Sequence, residues 1–165
     1  MADTFTPTPE LAQDLRAALG KFATGVTVIT VDTPTGPMGM TANSFTSVSL
    51  DPPLILWCPA KASRRHDAMA GATRFALHVM GAHQQDIASG FACSHDAFES
   101  CNWSRSAHNV PLIEGCSARF ECHIRDRIDA GDHSVVIGRV EQVTTTSDAP
   151  LLFLEGQYGG FSARA

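Results

Sequence analysis

Four stretches of the chain carry residue types able to hold or transform a ligand. The richest is Gly39-Met40-Thr41-Ala42-Asn43-Ser44-Phe45-Thr46-Ser47-Val48-Ser49, with five hydroxyls and one amide in the nine positions from Thr41. Short polar side chains and free backbone N–H groups are what a phosphate or the edge of a planar heterocycle needs. A solvent-facing strand has the same make-up. Lys61-Ala62-Ser63-Arg64-Arg65 sets three cations and a hydroxyl where a helix can begin, and helix N–H groups with the dipole favour an anion there. A solvated basic turn has the same composition. Gly131-Asp132-His133 reads as a hairpin turn whose histidine could hydrogen-bond a ligand or titrate near neutral pH, or simply be exposed. Gln157-Tyr158-Gly159-Gly160-Phe161 joins an aromatic ring to flexible glycines, fit either to flank a planar ring or to pack as a tail.

Other chemistries find little support. The chain has no Gly-x-Gly-x-x-Gly after a strand, no Gly-x-x-x-x-Gly-Lys-Ser/Thr and no Gly-x-Ser-x-Gly, so neither standard phosphate loop nor a nucleophile elbow is present. The five cysteines, Cys58, Cys93, Cys101, Cys116 and Cys122, are odd in number and lack Cys-x-x-Cys spacing. They read as free thiols in a cytoplasmic protein. Cys93, His95 and Cys101 are the one conceivable metal set, without known zinc spacing; no metal is expected. Asn102-Trp103-Ser104 matches a glycosylation sequon, taken as accidental because the N-terminus does not read as a signal peptide. The net charge of −5 is spread without blocks, which argues against nucleic acid. Apolar runs such as Val26–Val31 and Leu54–Cys58 are far shorter than the roughly 20 residues of a membrane helix, so no membrane is expected.

A scaffold that positions these stretches can be read from periodicity. The 165 residues suit one domain, with residues 1–8 expected as a flexible tail. Thr8-Pro9-Glu10 can start a helix, and Leu11, Leu15, Ala18, Leu19 and Phe22 then recur as one apolar stripe. Val26–Val31 is β-branched throughout and reads as a strand, returning antiparallel through Met38–Met40 after the turn Thr33–Pro37. Ser44–Leu50 alternates, with Phe45, Val48 and Leu50 on the apolar side, and Asp51-Pro52-Pro53 separates it from a buried strand at Leu54–Cys58. Ser63 can cap a short helix through Arg64–Ala70. Phe75–Met80 reads as a strand and Gln84–Phe91 as a helix. Ala92–Gly115 reads as a loop excursion, Ser117–Arg125 and Ser134–Val143 as two long strands, and Leu151–Leu154 as a last one. Six or seven strands, hairpin links and two or three helices imply a mainly β antiparallel barrel; helices do not alternate with strands as a doubly wound fold requires.

In this order the motifs resemble the flavin reductase family, the reductase components that supply reduced flavin to two-component monooxygenases. The resemblance runs nearly the full length: Phe22–Thr30, Gly39–Phe45, Ser47–Leu54, Ser63-Arg64, Phe91-Ala92, Gly131-Asp132-His133 and Pro150-Leu151-Leu152 with Tyr158-Gly159. It implies an FMN-binding-type split β-barrel of six or seven strands over residues 1–165, binding FMN or FAD, usually as a homodimer with flavin near the subunit interface. By position Thr41, Ala42, Asn43 and Ser44 would contact the ribityl chain and ring edge, with Ser47 and Ser49 nearby. Lys61, Ser63 and Arg64 would receive the flavin phosphate, and Phe91 and Ala92 would close one side of the ring. His133 and Tyr158 would lie on the nicotinamide side, His133 positioning NADH or NADPH for hydride transfer to the flavin. That step needs proximity and orientation and no protein nucleophile. Two rival functions share the fold: an electron carrier that does not use NAD(P)H, and a pyridoxamine-phosphate-oxidase-like protein. A purely structural binding domain fits the ordered matches poorly.

Overall fold

In the computed structural model, residues 4–163 are described. A 3-10 turn at Pro9–Leu11 leads into α1 (Ala12–Leu19), and β1 (Thr24–Gly25) and β2 (Thr27–Thr33) follow. Then come β3 (Gly36–Ala42), β4 (Thr46–Leu50), β5 (Pro53–Trp57), α2 (His66–Gly71), β6 (Arg74–Val79) and α3 (Gln85–Cys93). The second half holds β7 (Trp103–Arg105), β8 (Pro111–Ile113), β9 (Ala118–Ala130), β10 (His133–Thr145), β11 (Leu152–Leu154) and β12 (Gln157–Gly159). Of the tail expected over residues 1–8, residues 1–3 lie outside the described residues, and residues 4–8 form no regular element.

Seven strands make one sheet in the order β3-β2-β6-β9-β10-β5-β4, every pairing antiparallel. Its two edges, β3 and β4, are consecutive in the chain and joined by Asn43–Phe45. Laid flat, six inter-strand spacings would hold them about 29 Å apart. The link from Ala42 to Thr46 reaches only about 14 Å when fully extended. The sheet must therefore curl into a barrel that stays unpaired along the β3/β4 seam, the expected split barrel. Its interior is filled from both sides of the seam by Ile29, Met40, Ile55, Trp57, Phe75 and Ile124. A Cβ on Gly138 would stand 2.5 Å from the Phe75 ring, so glycine lets β10 pass close over that core.

A second apolar cluster lies outside the barrel, where Val26, Val28, Phe91, Phe98, Ile113 and Leu151 pack α3 and the later segments onto β2. It explains the main departure from the expected loop at Ala92–Gly115: the segment contains a 3-10 turn at Ala97–Ser100 and the β7–β8 hairpin. Phe98, Leu112 and Ile113 are buried there, spaced too irregularly to give a period. Gln157–Gly159 is likewise no tail. It pairs with β11 across Glu155 and Gly156, both at positive φ (50° and 83°), the geometry of a two-residue hairpin turn. Two further expectations are corrected. The α1 stripe buries no residue within this chain, with Leu19 67% and Phe22 79% exposed. On β4, Val48 and Leu50 face outward, Leu50 at 95% exposure, where a register shift between Ser47 and Ser49 breaks the alternation.

Candidate functional site

The β3–β4 seam places the hydroxyl-rich segment. Thr41 donates its Oγ1 hydrogen to the Ala88 carbonyl of α3 at 2.6 Å. Ser44 Oγ accepts from the Cys58 N–H at 2.9 Å, tying the link to the end of β5. The Ala42 carbonyl accepts from Thr27 Oγ1 at 2.6 Å. Thr41 and Ser44 are thus fixed by the framework, and residues 43–45 between β3 and β4 lie outside the strand ladders. Asn43 is exposed and lines a cavity of about 930 Å³ between α1 and the β11–β12 turn. Ser47 and Ser49 sit further along β4 opposite Ile55 and Leu54.

The basic loop follows at once. The Ser63 N–H donates to the Ala60 carbonyl and the His66 N–H to the Ser63 carbonyl, both at 3.0 Å, while Ser63 Oγ accepts from the Arg65 N–H at 3.2 Å. These turns delay α2 to His66, later than the helix expected from Arg64, and Ser63 bonds inside the loop instead of capping the helix. Arg65 turns inward. Its Nη1 donates to the carbonyls of Gly39 (3.1 Å), Phe91 (2.7 Å) and Ser94 (3.3 Å), and its Nη2 to Ala92 (3.3 Å). Burial lowers its pKa from the ordinary arginine value, with nearby Cys93 acting in the opposite sense. Lys61 Nζ donates to the Asp129 carboxylate and to the Gly131 carbonyl. Arg64 is exposed.

His133 opens β10, bridged to Ala60 of the basic loop. The Lys61 N–H donates to the Asp132 carbonyl at 2.8 Å and the Ser134 N–H to Pro59 at 3.1 Å. His66 Nε2 lies 2.9 Å from Ser134 Oγ. The His133 ring, 43% exposed, holds its Nδ1 2.7 Å from Asp132 Oδ1, and this contact lowers the Asp132 carboxyl pKa.

Hydrogen bonds therefore connect Thr41–Ser44, the Lys61–Arg64 loop, Ala92 and His133 into one continuous arrangement. Four expected residues fall outside it. Phe91 is fully buried, edge-on to Phe98 at 4.9 Å, and its ring lies where a Cβ on Gly39 would come within 2.5 Å. It supports β3 from beneath and presents no face to a ligand ring, which corrects the expectation of a ring-closing wall. Exposed Ala92 keeps its place at the surface. Tyr158 packs on Phe153 at 5.3 Å in the separate β1-β11-β12 sheet; the cavity beside it holds none of the other expected residues. Ser47 and Ser49 lie further along β4, Ser47 exposed and Ser49 half-buried. Sequence reasoning missed Arg65 as a structural contact, since two adjacent arginines give no sign of which turns inward. Among the described residues no three His, Cys, Asp or Glu side chains converge as a metal site, and no helix is long and apolar enough to cross a membrane.

Comparison with known proteins gives this geometry a context. The family described as "Flavin reductase like domain" matches residues 19–162. The chain is 48% identical over 158 residues to the FMN reductase (NADH) SmoA of Agrobacterium fabrum, covering 96% of this chain and 91% of that protein. It is 44% identical over 148 residues to the reductase component of the flavin-dependent trigonelline monooxygenase of Acinetobacter baylyi. That match covers 88% of this chain but only 48% of the relative, so the chain spans about half of its length. Among solved structures, the NADH:FAD oxidoreductase SgcE6 of Streptomyces globisporus C-1027, in complex with NAD and FAD fragments, superposes with a TM-score of 0.90 at 38% identity. The superposition covers 98% of this chain and 99% of that one.

Proposed function

The chain belongs to the flavin reductase family, and on that premise we propose that it reduces FMN or FAD with NADH or NADPH and passes the reduced flavin to a flavin-dependent monooxygenase. One observation carries the reading: the link that bears exposed Asn43 is tied through Ser44 to Cys58 at the end of β5, and the loop that bears exposed Arg64 is tied through Lys61 and Pro59 to the turn that presents His133. This donor set fits a flavin. Exposed Arg64 offers a cationic donor for its phosphate, on a loop whose own hydrogen bonds hold it in place. Thr41, Ala42, Asn43 and Ser44 border the place for the ribityl chain and ring edge. When bound, the flavin itself supplies the redox chemistry, accepting hydride from the nicotinamide. The protein's part is positioning. His133, steadied by Asp132, orients the nicotinamide, and N–H groups along the seam offset negative charge that builds at the ring edge.

We further propose one domain over residues 1–165, located in the cytoplasm, where the five free cysteines stay reduced. The active form is a homodimer, supported by the outward apolar side chains of α1 and β4. Mixing the purified protein with NADH and FMN should give flavin-dependent loss of absorbance at 340 nm. Tight flavin binding without NADH or NADPH oxidation would instead identify an electron carrier and overturn the proposal.

A further inference from the structure

Three cations crowd one short loop, and two of them, Lys61 and Arg65, meet different partners. Lys61 faces the β9–β10 turn. Its ammonium donates to the Asp129 carboxylate and, at 2.6 Å, to the carbonyl of Gly131, the residue that takes the turn at φ 63°. Its backbone N–H holds the Asp132 carbonyl, and its neighbour Ala60 bridges His133. Arg65 faces the other way. It gathers the Gly39 carbonyl of β3 with the Phe91, Ala92 and Ser94 carbonyls at the end of α3, where the helix dipole places negative charge. Gly39 is fixed from its other side as well, its N–H donating to the His95 carbonyl at 2.9 Å. Arg64, between them in the loop, is exposed.

On the flavin reductase reading, we propose that Lys61 and Arg65 are positioning residues and not ligands of the flavin phosphate. Lys61 holds the Gly131–His133 turn on the nicotinamide side; Arg65 holds the Thr41 strand against α3 on the flavin side. The charge that reads the phosphate is then Arg64. Turning Arg65 toward a phosphate would leave four carbonyls without their donor, three of them part-buried, and stripping a part-buried carbonyl of its partner is costly. Moving Lys61 would free Asp129 beside the incoming anion, a like-charge contact that opposes binding. Both cations serve the site better where they are.

FMN and riboflavin differ only by the phosphate, so their relative affinity isolates it. Dissociation constants for both are measured by flavin fluorescence titration, with NADH KM taken at saturating FMN. In Arg64→Met the preference for FMN over riboflavin should collapse by tenfold or more. In Arg65→Met both dissociation constants should rise by a similar factor, about tenfold, with the preference kept. Arg65→Lys guards against a folding defect. It keeps the charge but cannot span β3 and α3 together, so it too should weaken both flavins alike. Lys61→Met should leave both flavin constants within twofold while NADH KM rises three- to tenfold, and Asp129→Asn should reproduce that rise without adding to it in the double variant. Loss of FMN preference in either Arg65 variant or in Lys61→Met overturns the assignment. Failure of the flavin reductase reading looks different: unmodified protein that binds neither flavin and oxidises no NADH.

Discussion

His133 is half-exposed at the start of β10, with its backbone pinned to Ala60, so replacing it removes a ring and little framework. His133→Ala should raise the nicotinamide KM about two- to tenfold, the worth of roughly one hydrogen bond, and leave flavin affinity within twofold. Steady-state kinetics beside a flavin titration measure both; equal loss of the two would refute the assignment. Gly39 makes the opposite kind of prediction. Its φ is unremarkable, but an added Cβ would stand 2.5 Å from two Phe91 ring carbons. Gly39→Ala should therefore destabilise the protein by about 1–3 kcal/mol and weaken flavin binding by shifting Thr41. Adding Phe91→Leu should restore part of both, as followed by thermal melts and titration. The glycine was legible within its motif, but its reason was not, because Phe91 is distant in sequence and read there as a ligand wall.

The β7–β8 hairpin is tied to β6 through a buried histidine. His78 is fully buried, with Nδ1 2.9 Å from the Val28 carbonyl and Nε2 accepting the Ile113 N–H at 3.0 Å. That pattern requires the neutral ring, protonated at Nδ1. Burial lowers its pKa from 6.5 to about 4. The unfolded chain therefore binds the extra proton first, and stability should fall as pH drops from 6.5 toward 4, by about 3 kcal/mol at most. His78→Gln should flatten that part of the curve in urea unfolding measured between pH 7 and 4. An equal slope in the variant would exclude His78 as the source. The runs of β2 and β6 were legible as continuous apolar stretches buried on both faces, and β9 and β10 by their alternation. The β7–β8 hairpin was not, since it is held by contacts to β2 and β6: His78, and Thr30 donating to the Pro111 carbonyl. Residues 118–130 and 133–145 also run further than alternation alone indicated, because each is the other's partner to the turn.

At the scale of the molecule, the curled sheet follows from the chain, since two edge strands joined by a short link cannot lie flat. What the chain does not reveal is which surface the α1 stripe covers. Leu11, Leu15, Leu19 and Phe22 recur in the same way whether their partner is this barrel or another copy. Within one chain α1 buries nothing, and an eight-residue helix has too few turns to persist in water unsupported. Leu19, Phe22, Val48 and Leu50 are all outward-facing, and exposed apolar groups of this kind mark association surfaces. In the proposed homodimer a second copy would cover α1 and β4 together and set a subunit boundary at the cavity that α1 shares with Asn43. Sedimentation equilibrium should therefore give twice the 17.6 kDa chain mass. Leu50→Asp and Leu19→Asp should each shift the protein toward monomer, and FMN affinity should fall in step with the monomer fraction. A monomeric parent protein, or a monomeric variant with undiminished FMN affinity, would separate the flavin site from the subunit boundary.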